Sequence, residues 1–224
     1  MIIGVCGGKG GVGKSTVSLA LGGVLDAVVV DADLTMADLP VDAGPTVQDV
    51  LAGRSSLSAA VRDEWAVSIL PAGRSLASAR SADPGALLDV LQRLDEQYET
   101  VVVDGPAGLG ADAALPMAAA DACVLVTTPA PSAIADAVRT RALARELGTP
   151  IGAVVLNRVG EKRPPIEKRL GGPVVVVPES RAVASATREG LPVTISAPTS
   201  DAARAFHSLG ERLTRVTRRS RFER

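Results

Sequence analysis

Apolar residues in this chain fall into short β-branched blocks, separated by longer stretches in which they recur at every third or fourth position. The blocks cover residues 2–6, 27–31, 67–70, 100–104, 122–127, 151–157 and 174–177. Ile2-Ile3-Gly4-Val5-Cys6 and Val101-Val102-Val103 show no polar alternation, the pattern of strands buried on both faces. The stretches 14–25, 84–98, 113–119, 132–147, 181–189 and 201–217 read as helices. Strand and helix in alternation predict a mainly parallel sheet covered by helices on both faces, a three-layer α/β domain. In such sheets ligands bind outside the carboxyl ends of the strands. Four blocks end there in polar residues: Asp31, Asp104, Thr127 and Asn157.

Length and composition narrow this picture. The 224 residues suit one domain with a full core, and 46% of them are apolar. Only Trp65, Tyr98, Phe206 and Phe222 are aromatic, so Val, Leu, Ile and Ala must build that core. A formal net charge of −1 gives no whole-molecule attraction to a polyanion, which makes nucleic acid the less favoured partner. Cys6 and Cys123 lie in apolar blocks and read as buried thiols rather than a disulfide framework or a metal site. His207, the only histidine, falls on the apolar side of a helical pattern and is assigned no catalytic or metal role. The chain enters a strand directly, and no run reaches the ~18 apolar residues of a spanning helix, so a cytoplasmic location is expected.

The chemistry starts between the first strand and the first helix. Gly8-Lys9-Gly10-Gly11-Val12-Gly13-Lys14-Ser15-Thr16 fits G-x-x-x-x-G-K-[ST], the phosphate-binding loop. Glycines let successive amides ring an anion at a helix N-terminus. Lys14 is placed to reach the β- and γ-phosphates, and the Ser15 hydroxyl to bind Mg²⁺. Lys9 is a second cation that such a loop does not need; from the loop's tip it could reach a partner's nucleotide. Further on, Val28-Val29-Val30-Asp31-Ala32-Asp33 delivers two carboxylates that would share one face if the strand continued. Val101-Val102-Val103-Asp104 ends a strand in the Walker B manner, with Asp104 for Mg²⁺, and Gly105-Pro106-Ala107-Gly108 follows as a connection able to change conformation. Asn157 offers both a donor and an acceptor to the edge of adenine, and Pro178 with Glu179 could pack beside the base.

Lys-Gly-Gly-Val-Gly-Lys-Ser-Thr resembles the deviant Walker A motif of the MinD/ParA group of ATPases, and the later motifs follow in that group's order as far as Gly190-Leu191-Pro192-Val193. The resemblance is to the MinD branch more than to plasmid partition proteins. It implies the P-loop NTPase fold of the deviant type, with ATP and Mg²⁺ as cofactors and an ATP-dependent homodimer in which Lys9 acts across the interface. Asp33 matches the water-positioning aspartate, and Asp31 supports the outer shell of the metal. Asp104 is the Walker B carboxylate, and Asn157, Pro178 and Glu179 match the adenine pocket. The implied function is ATP hydrolysis as a switch for spatial positioning of a division site, envelope or surface structure, with an activating protein partner. A DNA-associated partition ATPase and a non-hydrolysing nucleotide-dependent scaffold are the alternatives. The turn before Val28 and the region after Asp38 are shorter than the family pattern.

The C-terminus bears on the surface such a switch would hold. Ala202, Phe206, Leu209, Leu213 and Val216 form one helical stripe, whose default meaning is packing on the domain. Residues 1–210 are therefore assigned to the ATPase domain and 211–224 to a basic tail. The tail carries Arg212, Arg215, Arg218, Arg219, Arg221 and Arg224 against Glu211 and Glu223. That charge suits the anionic cytoplasmic membrane face, yet Val216 and Phe222 supply little to insert. A solvated tail, peripheral membrane contact and an acidic or nucleic-acid partner stay open.

Overall fold

Each β-branched block becomes a strand of one parallel sheet. The structure, a computed structural model, describes residues 1–34, 39, 43–63, 66–73, 85–160 and 166–222, with backbone only at 167, 168 and 217–222. Asp38, Trp65, Pro84, the loop 161–165, Glu223, Arg224 and the side chains of Arg218, Arg219, Arg221 and Phe222 lie outside the described residues. The strands are β1 (Ile2–Cys6), β2 (Val28–Asp31), β3 (Ile69–Leu70), β4 (Val101–Asp104), β5 (Ala122–Thr127), β6 (Ile151–Val159) and β7 (Val174–Pro178). They form a seven-stranded sheet in the order β3-β2-β4-β1-β5-β6-β7, every neighbouring pair parallel. The mainly parallel, doubly covered architecture expected from the alternation is the one found.

The helices are α1 (Lys14–Leu25), α2 (Val47–Leu51), α3 (Leu57–Ala60), α4 (Ala86–Gln97), α5 (Ala111–Ala119), α6 (Pro131–Glu146), α7 (Glu167–Leu170), α8 (Arg181–Glu189), α9 (Val193–Ser196) and α10 (Asp201–Phe222). Side-chain alternation splits the core between the faces of the sheet. Ile2, Val30, Val103 and Leu125 pack with Leu91 and Leu94 of α4, Met117 of α5 and Ala144 of α6. Ile3, Val5, Val29, Val102 and Val124 pack with Leu21 of α1, Ala186 of α8 and Phe206 of α10.

The short helices α2, α3, α7 and α9 escape the periodicity reading because four or five residues carry little more than one turn. For α2 a local cue was present: Thr46 and Asp49 form a capping box, the Asp49 carboxylate accepting from the Thr46 amide at 2.9 Å. The shortened turn before Val28 is built by Asp26, left-handed at φ 50°, which lets the Ala27 amide bond back to the Gly22 carbonyl.

Helix α10 passes residue 210 without a break, and Leu213 is fully buried in the α1 face of the core. Gly210 permits this docking, since a Cβ there would lie 2.5 Å from Val24 of α1. His207 departs from expectation: it is exposed, because it sits about 100° around the helix from Phe206, which fills the core. Cys6 and Cys123 are buried free thiols, as read, and hydrogen bonding with the Cys123 thiol, and then burial, push the Cys6 thiol up. Among the described residues no helix is long and apolar enough to cross a membrane.

Candidate functional site

The carboxyl ends of β1, β2, β4, β6 and β7 converge on the N-terminus of α1. Residues 7–13 make the turn between β1 and α1, closing on Gly13 at φ 100°, a conformation that excludes side chains. No side chain caps α1, and no acidic residue stands in its first turn. The helix therefore presents unopposed amides and its positive end to an incoming anion. Lys14, Ser15 and Thr16 are half-buried in that first turn, Val12 is buried beneath it, and Gly8 is half-buried where the loop leaves β1. Lys9, Gly10 and Gly11 form the exposed tip. The Lys9 ammonium donates to the Ser132 hydroxyl at 3.2 Å, at the start of α6.

Two carboxylates face this loop. Asp31 and Asp104 are direct register partners on β2 and β4, and both are buried. Ser18, one turn along α1, lies 3.0 Å from both the Lys14 carbonyl and Asp104 Oδ1 and shares its single proton between them. Asp31 Oδ1 accepts from the Asp33 amide at 3.1 Å, whereas Asp31 Oδ2 is buried and meets no donor at full hydrogen-bonding geometry among the described residues, the Leu39 amide interacting with the carboxyl only weakly. Burial, and then the neighbouring Asp104 charge, push the Asp31 carboxyl up to about 8, with the Asp33 amide opposing.

The two aspartates of the first motif do not share a strand face. Strand β2 ends at Asp31, and the chain turns so that the Asp33 amide bonds back to the preceding carboxylate. Asp33 is left half-buried at the mouth of the site.

The crowded pair with an orphaned oxygen fits a cation. Among the described residues no group of three His, Cys, Asp or Glu could cage a metal alone. A hard ion that takes one or two carboxylates and completes its shell with phosphate oxygens and water matches this donor set; Mg²⁺ is such an ion. Asp31, Asp104 and Ser15 would hold it.

A cavity of about 450 Å³ opens beside the loop, lined by Thr16, Asn157, Arg158, Pro178, Glu179 and Arg188 among others. The three residues predicted for the base thus meet in one pocket with the last residue of the phosphate motif. The Asn157 side chain is already engaged there: Nδ2 donates to the Val12 carbonyl at 2.8 Å, and Oδ1 accepts from the Arg158 amide at 3.0 Å. On the other side of the loop, Gly105 donates to the Val5 carbonyl at 3.0 Å, and the connection that follows exposes Leu109. Sequence reasoning placed Arg158 in the motif around Asn157 and gave no role to it, to Ser18 or to Arg188. Ser18 had a visible cue, a hydroxyl among the apolar positions of α1; the arginines had none, since they reach the pocket only through the packing of β6 and α8.

Known proteins share this fold and much of this sequence. The family model described as the CobQ/CobB/MinD/ParA nucleotide binding domain matches residues 3–193. An uncharacterized ATP-binding protein of Methanocaldococcus jannaschii is 35% identical, over 94% of this chain and 86% of its own. The septum site-determining protein MinD of Pyrococcus horikoshii, solved with Mg-ADP, is 32% identical with a TM-score of 0.88, covering 98% of both chains. The cell division ATPase MinD of Pyrococcus furiosus is 34% identical with a TM-score of 0.88, covering 96% of this chain and 98% of its own. The chain therefore belongs to the CobQ/CobB/MinD/ParA family of nucleotide-binding domains.

Proposed function

We propose that this protein binds Mg-ATP, dimerises on it and hydrolyses it, as a switch that positions a division site, envelope or surface structure. The observation that carries the reading is an uncapped helix N-terminus behind a two-lysine loop, set opposite the buried pair Asp31 and Asp104. The names of the similar proteins, an ATP-binding protein and a cell division ATPase, support it.

In this reading the amides of residues 10–16 and the Lys14 ammonium hold the phosphates, while Thr16, Asn157, Pro178 and Glu179 bound the base. Ser15, Asp104 and Asp31 hold Mg²⁺, which supplies charge neutralisation at the phosphates when bound. Asp33 accepts a hydrogen bond from the attacking water and orients it towards the γ-phosphate. Lys9 leaves Ser132 and reaches the nucleotide of the second protomer, adding positive charge where negative charge builds up. The connection after Asp104 registers the presence of the γ-phosphate. Because the apolar stripe of α10 is buried in the domain as far as Leu213, contact with an anionic surface draws on charge, to which exposed Arg212 and Arg215 contribute, and is strengthened when dimerisation doubles it.

The test joins turnover, mass by light scattering, and co-sedimentation of the full chain with anionic vesicles or DNA, in ATP and in ADP. Lys9→Ala should abolish ATP-dependent dimerisation while leaving nucleotide binding, and Asp33→Ala should stop turnover. A Lys9→Ala protein that dimerises like wild type removes the trans-lysine role. A protein that sediments with neither surface in any nucleotide state removes the positioning role.

A further inference from the structure

We infer that Asn157 is a positioning residue for the phosphate loop, fastening the peptide at Val12 to the end of β6 and so tying loop geometry to the base pocket. The inference rests on the nucleotide-binding reading above and gives this side chain a task besides bounding the base.

The orientation of the amide is settled by its partners. A backbone carbonyl only accepts and a backbone N–H only donates, so Nδ2 must face Val12 and Oδ1 must face the Arg158 amide. One N–H of Nδ2 and one lone pair of Oδ1 thus hold backbone, and the second N–H and second lone pair are left to face the cavity. Val12 and Asn157 are each 4% exposed, so water cannot replace the bond between them. The contact joins segments 145 residues apart. It is also close: a Cβ on Gly13 would lie 2.3 Å from Nδ2, so the amide packs against the last peptide before α1 begins.

Strand β6 is bent to make this possible. Arg158 adopts the left-handed region at φ 56°, uncommon for a side chain of its size, and pairing with β7 shifts register between Leu156 and Val159. That bend returns the Arg158 amide to Oδ1 and sets the plane of the Asn157 side chain. Because Asn157 also lines the 450 Å³ cavity, pressure from a base on that wall acts on the Val12 peptide, and an ordered phosphate loop shapes the wall in return.

A residue that reads the base has no influence on a ligand lacking one. The experiment therefore measures the affinities of Mg-tripolyphosphate and Mg-ATP for wild type, Asn157→Ala and the isosteric Asn157→Asp, alongside amide hydrogen exchange of residues 10–14 without ligand. Removing the hydrogen bond should weaken Mg-tripolyphosphate about tenfold and Mg-ATP at least as much, and speed loop exchange by a similar factor. Asn157→Asp should lose at least as much, since its carboxylate meets the Val12 carbonyl. Unchanged loop exchange, or a loss confined to Mg-ATP, overturns the inference. A wild-type protein that binds neither ligand overturns the nucleotide reading instead, while loop exchange in the variants still decides whether Asn157 holds the loop.

Discussion

Replacing Asp31 with Asn removes an ionisable carboxyl buried beside Asp104 without changing its shape. The carboxyl is buried beside Asp104, with no donor at full hydrogen-bonding geometry on Oδ2 among the described residues, and is pushed up to about 8. An aspartate in the unfolded chain titrates near 3.9. Between those values the folded protein keeps a proton that the unfolded chain gives up. Nucleotide-free stability therefore falls as the pH rises from about 4 to about 8, and then levels off. The interval of about four pH units corresponds to about 5 kcal/mol, which relaxation around a buried charge reduces. Asn keeps an oxygen for the Asp33 amide and adds donors beside the Asp104 carboxylate. We expect Asp31→Asn to stabilise the free protein by about 2–3 kcal/mol near pH 8 and by less than about 1 kcal/mol near pH 5. Urea unfolding of both proteins at the two pH values, without nucleotide, measures this directly. A variant no more stable than wild type near pH 8, or a gain independent of pH, would refute the electrostatic argument. If Asp31 holds the ion as proposed, saturating Mg-ATP should shrink the advantage, because the variant lacks that carboxylate.

Gly13→Ala must adopt φ 100° and intrude on Asn157, so it should lower stability by about 1–2 kcal/mol and abolish phosphate binding; calorimetry reads both. Ser18→Ala withdraws a buried donor from Asp104 and should cost about 1–3 kcal/mol in denaturant unfolding near neutral pH, with less lost in acid where the carboxylate is protonated. Leu213 is fully buried and would stand 3.0 Å from a Cβ placed on Gly152 of β6. Leu213→Ala should therefore cost about 2–4 kcal/mol, and a loss under about 1 kcal/mol would mean that α10 beyond residue 210 does not belong to the folded core.

The strands, the long helices and the residues of the phosphate loop were legible in the chain because each is written over a few neighbouring positions. β-branched blocks mark buried strands, a period of three to four marks helices, and glycines with lysines mark a backbone that wraps an anion. Asp31, Asp33, Asp104 and Asn157 stood out for the same reason, as polar ends to apolar runs. Their relationships were not local. The order β3-β2-β4-β1-β5-β6-β7 sets β2 against β4, and only that makes Asp31 and Asp104 register partners sharing one desolvated site. A turn after β2 separates Asp33 from the face that alternation alone would give it. The fold also brings Asn157 under the Val12 peptide, a contact that its place at the end of an apolar run did not suggest. Periodicity and glycine content are properties of adjacent residues, so sequence determines them. Which strand lies beside which, and so which charges lose their water together, depends on contacts between distant segments, and only the folded chain decides it.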